Sequence, residues 1–335
     1  MLALLTSCAP PTIKTTALLP ARSHEASLLK EVAVLPFDGP DGHKFASEIE
    51  ATLASINVGG GQYFSVVDRM KLDKVLQEMG LAHSGLVDES TATKVGKLVG
   101  AKGIYTGVVT LSGVNDSKYS EKRTRCASYV PRYDKKGKII GEDCIRWEEY
   151  TVPCTNRVAT FAFTAKLIDV EKGRIVYANN LSGTAESSAC SDSSKPLASA
   201  LELIGRAKQY ALAEFRKDVA PHYVTLEIKL MDSKEGITSD AAKKKFEQGI
   251  DFAKHNRMDR ACELWGEANT LSPNAPAILY NLGICLEITG QFEQALDLYK
   301  KADRAYGKPD DRITSALNRV SEAIQRQKKL QEQIR

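Results

Sequence analysis

The sequence predicts an α/β fold, a mixed sheet with flanking helices, followed by an all-α repeat domain. Three observations carry this reading. Between residues 31 and 109, short apolar runs rich in Val and Ile alternate with stretches whose apolar residues recur every three to four positions. Two further β-rich runs are separated by the tight turn Glu171-Lys172-Gly173. The last third of the chain repeats itself at a fixed offset. The order strand, helix, strand, helix, helix, strand, strand, strand, helix, strand is that of a layered α/β domain.

The elements follow in order. Glu31-Val32-Ala33-Val34-Leu35-Pro36-Phe37 is nearly all apolar, which suits a buried strand ended by Pro36. Residues 41–56 form a helix with Phe45, Ile49 and Leu53 on one stripe. Gly59-Gly60-Gly61 breaks the chain before a strand at 63–69, and 70–79 is a helix with Leu72, Val75, Leu76 and Met79 on one face. Ser90 is expected to cap a helix over 91–99, and Ile104–Val109 is a third strand. Residues 113–157 are charged and aromatic. They turn at Asp134-Lys135-Lys136-Gly137-Lys138, so Cys126–Tyr133 and Ile145–Cys154 are expected to form a long hairpin. Strands are predicted at Thr160–Asp169 and Arg174–Asn180, a polar loop at Ser187–Pro196, a helix at Leu197–Phe215 and a strand at His222–Leu230.

The repeat aligns residues 242–275 with 276–309. Gly249 falls on Gly283, Ala261 on Ala295, Trp265 on Tyr299, Ala268 on Ala302 and Phe252 on Leu286. Small residues recur where paired helices cross closely, and bulky ones fill the gaps. This is the tetratricopeptide pattern at its period of about 34. The expected organisation is an α/β domain over 30–235, two tetratricopeptide repeats over 236–310 and a capping helix over 311–335. The exposed side of each repeat's first helix lines the concave face, so Lys245, Tyr280 and Asn281 are the expected partner-binding residues.

Leu5-Thr6-Ser7-Cys8 has the form of a lipobox, an apolar residue and two small ones before the cysteine that accepts lipid. Residues 1–8 therefore read as a truncated lipoprotein signal peptide with Cys8 as the lipidation site, and 9–29 as a flexible Pro- and Thr-rich tether. Each buried methylene of an acyl chain contributes roughly 0.8 kcal/mol to anchoring. Ala9, where an Asp would favour inner-membrane retention, points to the outer membrane. Of the seven cysteines, Cys126, Cys144, Cys154 and Cys190 cluster in the middle region. Their spacings match no common zinc site, and disulfides in any of three connectivities are expected. For Cys262 and Cys285, on helices of adjacent repeats, buried free thiols are the expectation, with a bond linking the repeats as the alternative.

Net charge is +4, not the footprint of a nucleic-acid binder. His24, His43, His83, His222 and His255 are scattered at no ligand spacing. The chain carries no nucleophile elbow, phosphate loop or dinucleotide fingerprint, so neither an enzyme nor a cofactor nor a metal is expected.

The blocks Val32–Phe37, Phe64-Ser65-Val66-Val67-Asp68-Arg69, Leu72–Gly80, Ser84–Asp88 and Gly96–Gly107, with a weaker one at Leu167–Val176, resemble in order and spacing those of the CsgG-like (curli production assembly/transport) superfamily. The resemblance covers about half of the chain and implies the CsgG/LpoB-like mixed sheet. It also implies a lipid-anchored, periplasm-facing protein of the outer membrane, non-enzymatic, serving as scaffold or assembly factor in an envelope or secretion complex. Its partners would be envelope proteins engaged through the repeats. The alternatives it implies are a ring-forming secretion channel subunit and an activator docking on a cell-wall synthase. Residues 113–157 carry Arg123, Arg125, Arg132, Arg146, Glu148 and Glu149 and show no lipid-facing stripe, which speaks against a barrel.

Overall fold

The computed structural model describes residues 10–81 and 88–335. In chain order the elements are β1 (Thr12–Leu19), α1 (His24–Leu28), β2 (Glu31–Val34), α2 (Gly42–Ala54), β3 (Asn57–Val58), β4 (Gly61–Gln62), β5 (Ser65–Val66), α3 (Arg69–Glu78), α4 (Glu89–Val99), β6 (Gly103–Tyr133), β7 (Ile139–Asp169), β8 (Arg174–Cys190), α5 (Ala200–Val219), β9 (His222–Lys229), α6 (Asp240–Lys254), α7 (Met258–Leu271), α8 (Pro276–Ile288), α9 (Phe292–Tyr306) and α10 (Asp311–Ile334). They divide into two compact units. One is Glu25–Val219; the other joins Ala220–Arg335 to the N-terminal residues up to His24.

The first unit is a five-stranded mixed sheet of order β5-β2-β6-β7-β8. β2 runs parallel to both β5 and β6, while β6, β7 and β8 are antiparallel. The apolar run of β2 is explained by burial on both faces. Ala33 and Leu35 pack with Leu72 and Leu76 of α3 and Val95 and Val99 of α4. On the opposite side an aromatic cluster joins Phe45 of α2 to Phe163 of β7 at 4.7 Å and Phe163 to Phe215 of α5 at 6.2 Å. The motif Asp68-Arg69 has a local task. Asp68 caps α3 by accepting from Met70 N and Lys71 N, and Arg69 donates to Val34 O and Glu50 Oε1, both at 2.9 Å, tying the helix to β2. α4 begins two residues earlier than expected, and Asp88, not Ser90, accepts from Thr91 N at 2.6 Å as its cap.

The hairpin anticipated at 113–157 is the outer part of two strands of 31 residues each, which turn at Asp134–Lys138. Asp134 Oδ1 accepts from Lys136 N and Lys138 N, both at 2.8 Å, fixing that turn. The expected polar loop from Ser187 is strand as far as Cys190, because β8 continues to pair with β7 up to Cys154–Cys190.

The second unit departs from the expected boundaries. Residues 12–19 are not part of a flexible tether. They form β1 and pair antiparallel with β9 from Thr12–Lys229 to Leu19–His222. The segment Ile13-Lys14-Thr15-Thr16-Ala17-Leu18-Leu19 has the β-branched and apolar content that fits one face against a core, and Ile13 and Ile228 are both buried there. β9 belongs with the helices, not with the five-stranded sheet.

α6–α7 and α8–α9 are successive helical hairpins, one per repeat unit. The repeated residues explain their close crossing. Trp265 lies over Gly249 and donates to Phe246 O at 3.2 Å, and Tyr299 lies over Gly283. Ala261, Ala268, Ala295 and Ala302 are fully buried, whereas Phe252 is 38% exposed and fills no gap. A methyl group on Gly283 would approach a Tyr299 ring carbon to 2.6 Å. Gly to Ala within a helix ordinarily stabilises by about 1 kcal/mol. Here Gly283→Ala is expected to destabilise by about 1–3 kcal/mol through overpacking, and urea unfolding of the variant reads the sign directly.

Candidate functional site

Cys8, the expected lipidation site, and His83 lie outside the described residues. The other expected site residues fall at two places, one in each unit.

In the helical unit, α8 is apolar nearly all round, started by Pro276 in its first turn. Tyr280 and Asn281 are 1% and 0% exposed. Both face the segment that follows β9. Asn281 Oδ1 accepts from Met231 N at 3.1 Å, and its Nδ2 donates to Met231 O at 2.8 Å. Tyr280 Oη donates to Lys229 O at 3.0 Å. An amide side chain offers both a donor and an acceptor, which matches the backbone of one residue and satisfies it in a buried place. The groove expected to take a partner peptide through Tyr280 and Asn281 is thus filled at this point by the chain's own residues 229–231. Lys245 is held elsewhere, in an ion pair with Glu267 of α7 that keeps the Glu267 carboxyl below its usual range.

A buried ionic cluster lies beside this contact. Arg319 of α10 donates to both oxygens of Glu287, at 2.5 and 2.8 Å, and Tyr299 Oη donates to Glu287 Oε2 at 2.7 Å. Burial, and then the Glu287 carboxylate, hold the Tyr299 phenol well above its usual value. Burial pushes Tyr280 up to about 12. Sequence reasoning missed this cluster, yet a signal was present. Glu287 is the lone acid in the apolar helix Pro276–Ile288, and an acid so placed needs a cation to offset its desolvation. Cys262 and Cys285, expected as free thiols, form a disulfide between α7 and α8 with Cα atoms 5.9 Å apart. Their helices are sequence neighbours that pack together, which brings the two sulfurs into bonding range.

In the sheet unit, the outer part of the β6–β7 ribbon holds the other expected residues. Cys126 pairs with Cys144 within the ribbon, and Cys154 with Cys190 between β7 and β8, with Cα separations of 5.8 and 3.9 Å. Glu121 stands close to Cys154 and Cys190, but sulfurs joined in a disulfide are not thiolate metal ligands. The ribbon's charges are cross-linked over its surface. Arg157 meets Asp116 at 2.7 and 2.8 Å, Arg125 meets Glu148 at 2.5 Å and stacks over Tyr150, and Arg123 bridges Glu121 and Asp192. Between these pairs and the turn, Tyr129, Ile139, Ile145 and Trp147 are exposed among charged residues that include the Arg132–Asp143 ion pair. Of the remaining histidines, His24 pairs with Glu332, His222 and His255 bond to nearby backbone carbonyls, and His43 lies near Arg69 and Asp73. Among the described residues no helix is long and apolar enough to cross a membrane.

Two outcomes follow from the buried contact. Asn281→Ala leaves the Met231 N–H and C=O without partners and is expected to cost about 2 kcal/mol in urea unfolding. Because the folded Tyr280 phenol titrates near 12 and an unfolded one near 10, the unfolded chain gives up its proton first. The stability present below pH 10 therefore falls as the pH rises towards 12. Melting curves from pH 9 to 12 are expected to decline less steeply for Tyr280→Phe.

Residues 58–212 match the family described as the curli production assembly/transport component CsgG. No curated protein matches the chain. Among solved structures, the chain is similar to the LpoB C-terminal domain from Salmonella enterica, at 12% identity, TM-score 0.26, covering 46% of this chain and 82% of that one. It is similar to the PelC dodecamer from Paraburkholderia phytofirmans, at 15% identity, TM-score 0.24, with coverages of 61% and 96%. It is also similar to lipoprotein GNA1162 from Neisseria meningitidis, at 16% identity, TM-score 0.25, with coverages of 52% and 90%. The family match spans the region from β3 to α5. Through residues 58–212, the chain carries a domain of the CsgG-like family.

Proposed function

We propose that this protein is a periplasm-facing lipoprotein of the outer membrane, anchored through an acylated Cys8. In this reading it is a non-enzymatic scaffold or assembly factor in an envelope or secretion complex. The observation that carries the reading is the CsgG family match across the sheet unit. The three disulfides agree with it, since such bonds persist in oxidising compartments outside the cytoplasm. The α6–α9 hairpins read as two tetratricopeptide repeats whose glycine and alanine positions set the packing. Their partner surface would be the face left open beside residues 229–231. The exposed Tyr129, Ile139, Ile145 and Trp147 near the turn end of the β6–β7 ribbon, stiffened by Cys126–Cys144, would offer a second contact surface for another component of the complex.

A ring-forming secretion subunit is the second reading, favoured by the family's description and by the length of the ribbon. The ion pairs spread along that ribbon suit water better than lipid. Activation of a cell-wall synthase is a third role open to the same fold.

Two measurements test the proposal. Labelled palmitate is expected to enter the wild-type chain and to be absent from Cys8→Ala, and label in that variant removes the anchor reading. Light scattering of the acylated protein in mild detergent is expected to give a monomer or small oligomer. A ring of many subunits would replace the scaffold by the channel.

A further inference from the structure

Within the helical unit, the β1–β9 ribbon does not close tightly on the helices. A cavity of about 320 Å³ remains between it and α8, α9 and α10. That volume lies at the lower end of the roughly 300–1,000 Å³ of small-molecule pockets. Its walls are apolar, formed by Leu19, Leu226 and Ile228 of the ribbon, Ile288 of α8, Phe292 of α9 and Leu330 of α10. Empty cavities of this kind cost stability unless something occupies them.

Thr15 and Thr16 of β1 add hydroxyls at one wall, and the charges of the lining do not cancel. Glu287 and Arg319 reach the cavity but are spent on each other and on Tyr299. That leaves Arg326, from α10. Its carboxylate partner is Glu322, one turn back on the same helix, at 3.0 Å, with Glu322 65% exposed and Arg326 38% exposed. A pair of that kind contributes little in water and yields readily to a better-placed anion. Gln327 stands next to Arg326 and adds a neutral donor. Among the described residues, the site therefore combines an apolar trough with one readily released cation at its edge.

We infer that this cavity binds a single-chain amphipathic carboxylate, its alkyl chain along the trough and its head group on Arg326. Three features set the class. The apolar walls of the trough give a sugar or a peptide backbone little to bond to. Its size excludes a two-chain lipid. The cation selects an anionic head over a neutral one. The inference is independent of the scaffold reading, since it rests on β1, β9 and the helices alone.

The test is calorimetric titration of sodium dodecanoate, below its micelle threshold, into the full chain carrying Cys8→Ser, so that no acyl chain of its own competes. One site per chain is expected. Ala323, a small residue on the cavity wall, becomes a plug in Ala323→Phe, which is expected to lower affinity at least tenfold with an unchanged melting temperature. Arg326→Gln is expected to weaken dodecanoate about tenfold, the loss of one charge-assisted bond, and to leave dodecanol binding unchanged. Absence of dodecanoate binding overturns the inference. So does binding that ignores both substitutions, and so does equal affinity for dodecanoate and dodecanol. Preference for phosphatidylglycerol vesicles over free dodecanoate would likewise overturn it, by making the ligand a membrane.

Discussion

The pairing of β6 with β7 is the constraint on which the sheet unit depends. Over its inner third it is a core ladder, with Ile104 opposite Ile168 and Tyr105 opposite Leu167, all buried. Beyond a register shift between Val109 and Leu111, the pairing carries both strands out of the core. A ribbon of two strands is marginal in water. Here three things replace the missing core: cross-strand ion pairs, the Cys126–Cys144 and Cys154–Cys190 bonds, and the partial third strand supplied by β8. The charged composition that marks residues 113–157 in the sequence is spent on cross-strand ion pairs such as Arg125–Glu148 and Arg157–Asp116.

Much of the inner sheet was legible because its signals are local. Val32-Ala33-Val34-Leu35 reads as a buried strand, and Leu72, Val75, Leu76 and Met79 read as one helical face, without any knowledge of partners. What escaped was set by distant pairing. The β-branched and apolar content of residues 12–19 is compatible with a strand, but the pairing that makes it one comes only with β9, about 200 residues later. The extension of β8 to Cys190 was hidden for the same reason: Ser187-Ser188-Ala189 looks like loop and is strand only because β7 lies beside it.

The helical unit shows the other limit. The repeat arithmetic located Gly249, Gly283, Trp265 and Tyr299, whose spacing is imposed by helix geometry. It also led to Tyr280 and Asn281, as contacts for a partner. Their task in this structure is to hold Lys229–Met231, which the repeat pattern alone does not contain. A polar residue on an inner helical face announces that a backbone or a partner comes close; it does not say whose. Glu287 makes the same point for charge, since its partner Arg319 sits on the helix after the repeats.

The β1–β9 ladder has a consequence for synthesis. The helical unit is discontinuous, with its first strand made before, and its second only after, the whole of Glu25–Val219. Closing a loop of that length from a disordered chain carries a large entropy cost, and the cost falls once the intervening sheet unit has folded and its two ends are fixed. The sheet unit therefore acts as a folding clasp for its neighbour. Until it is complete, β1 exposes an unpaired edge, the kind of surface on which nascent chains misassemble.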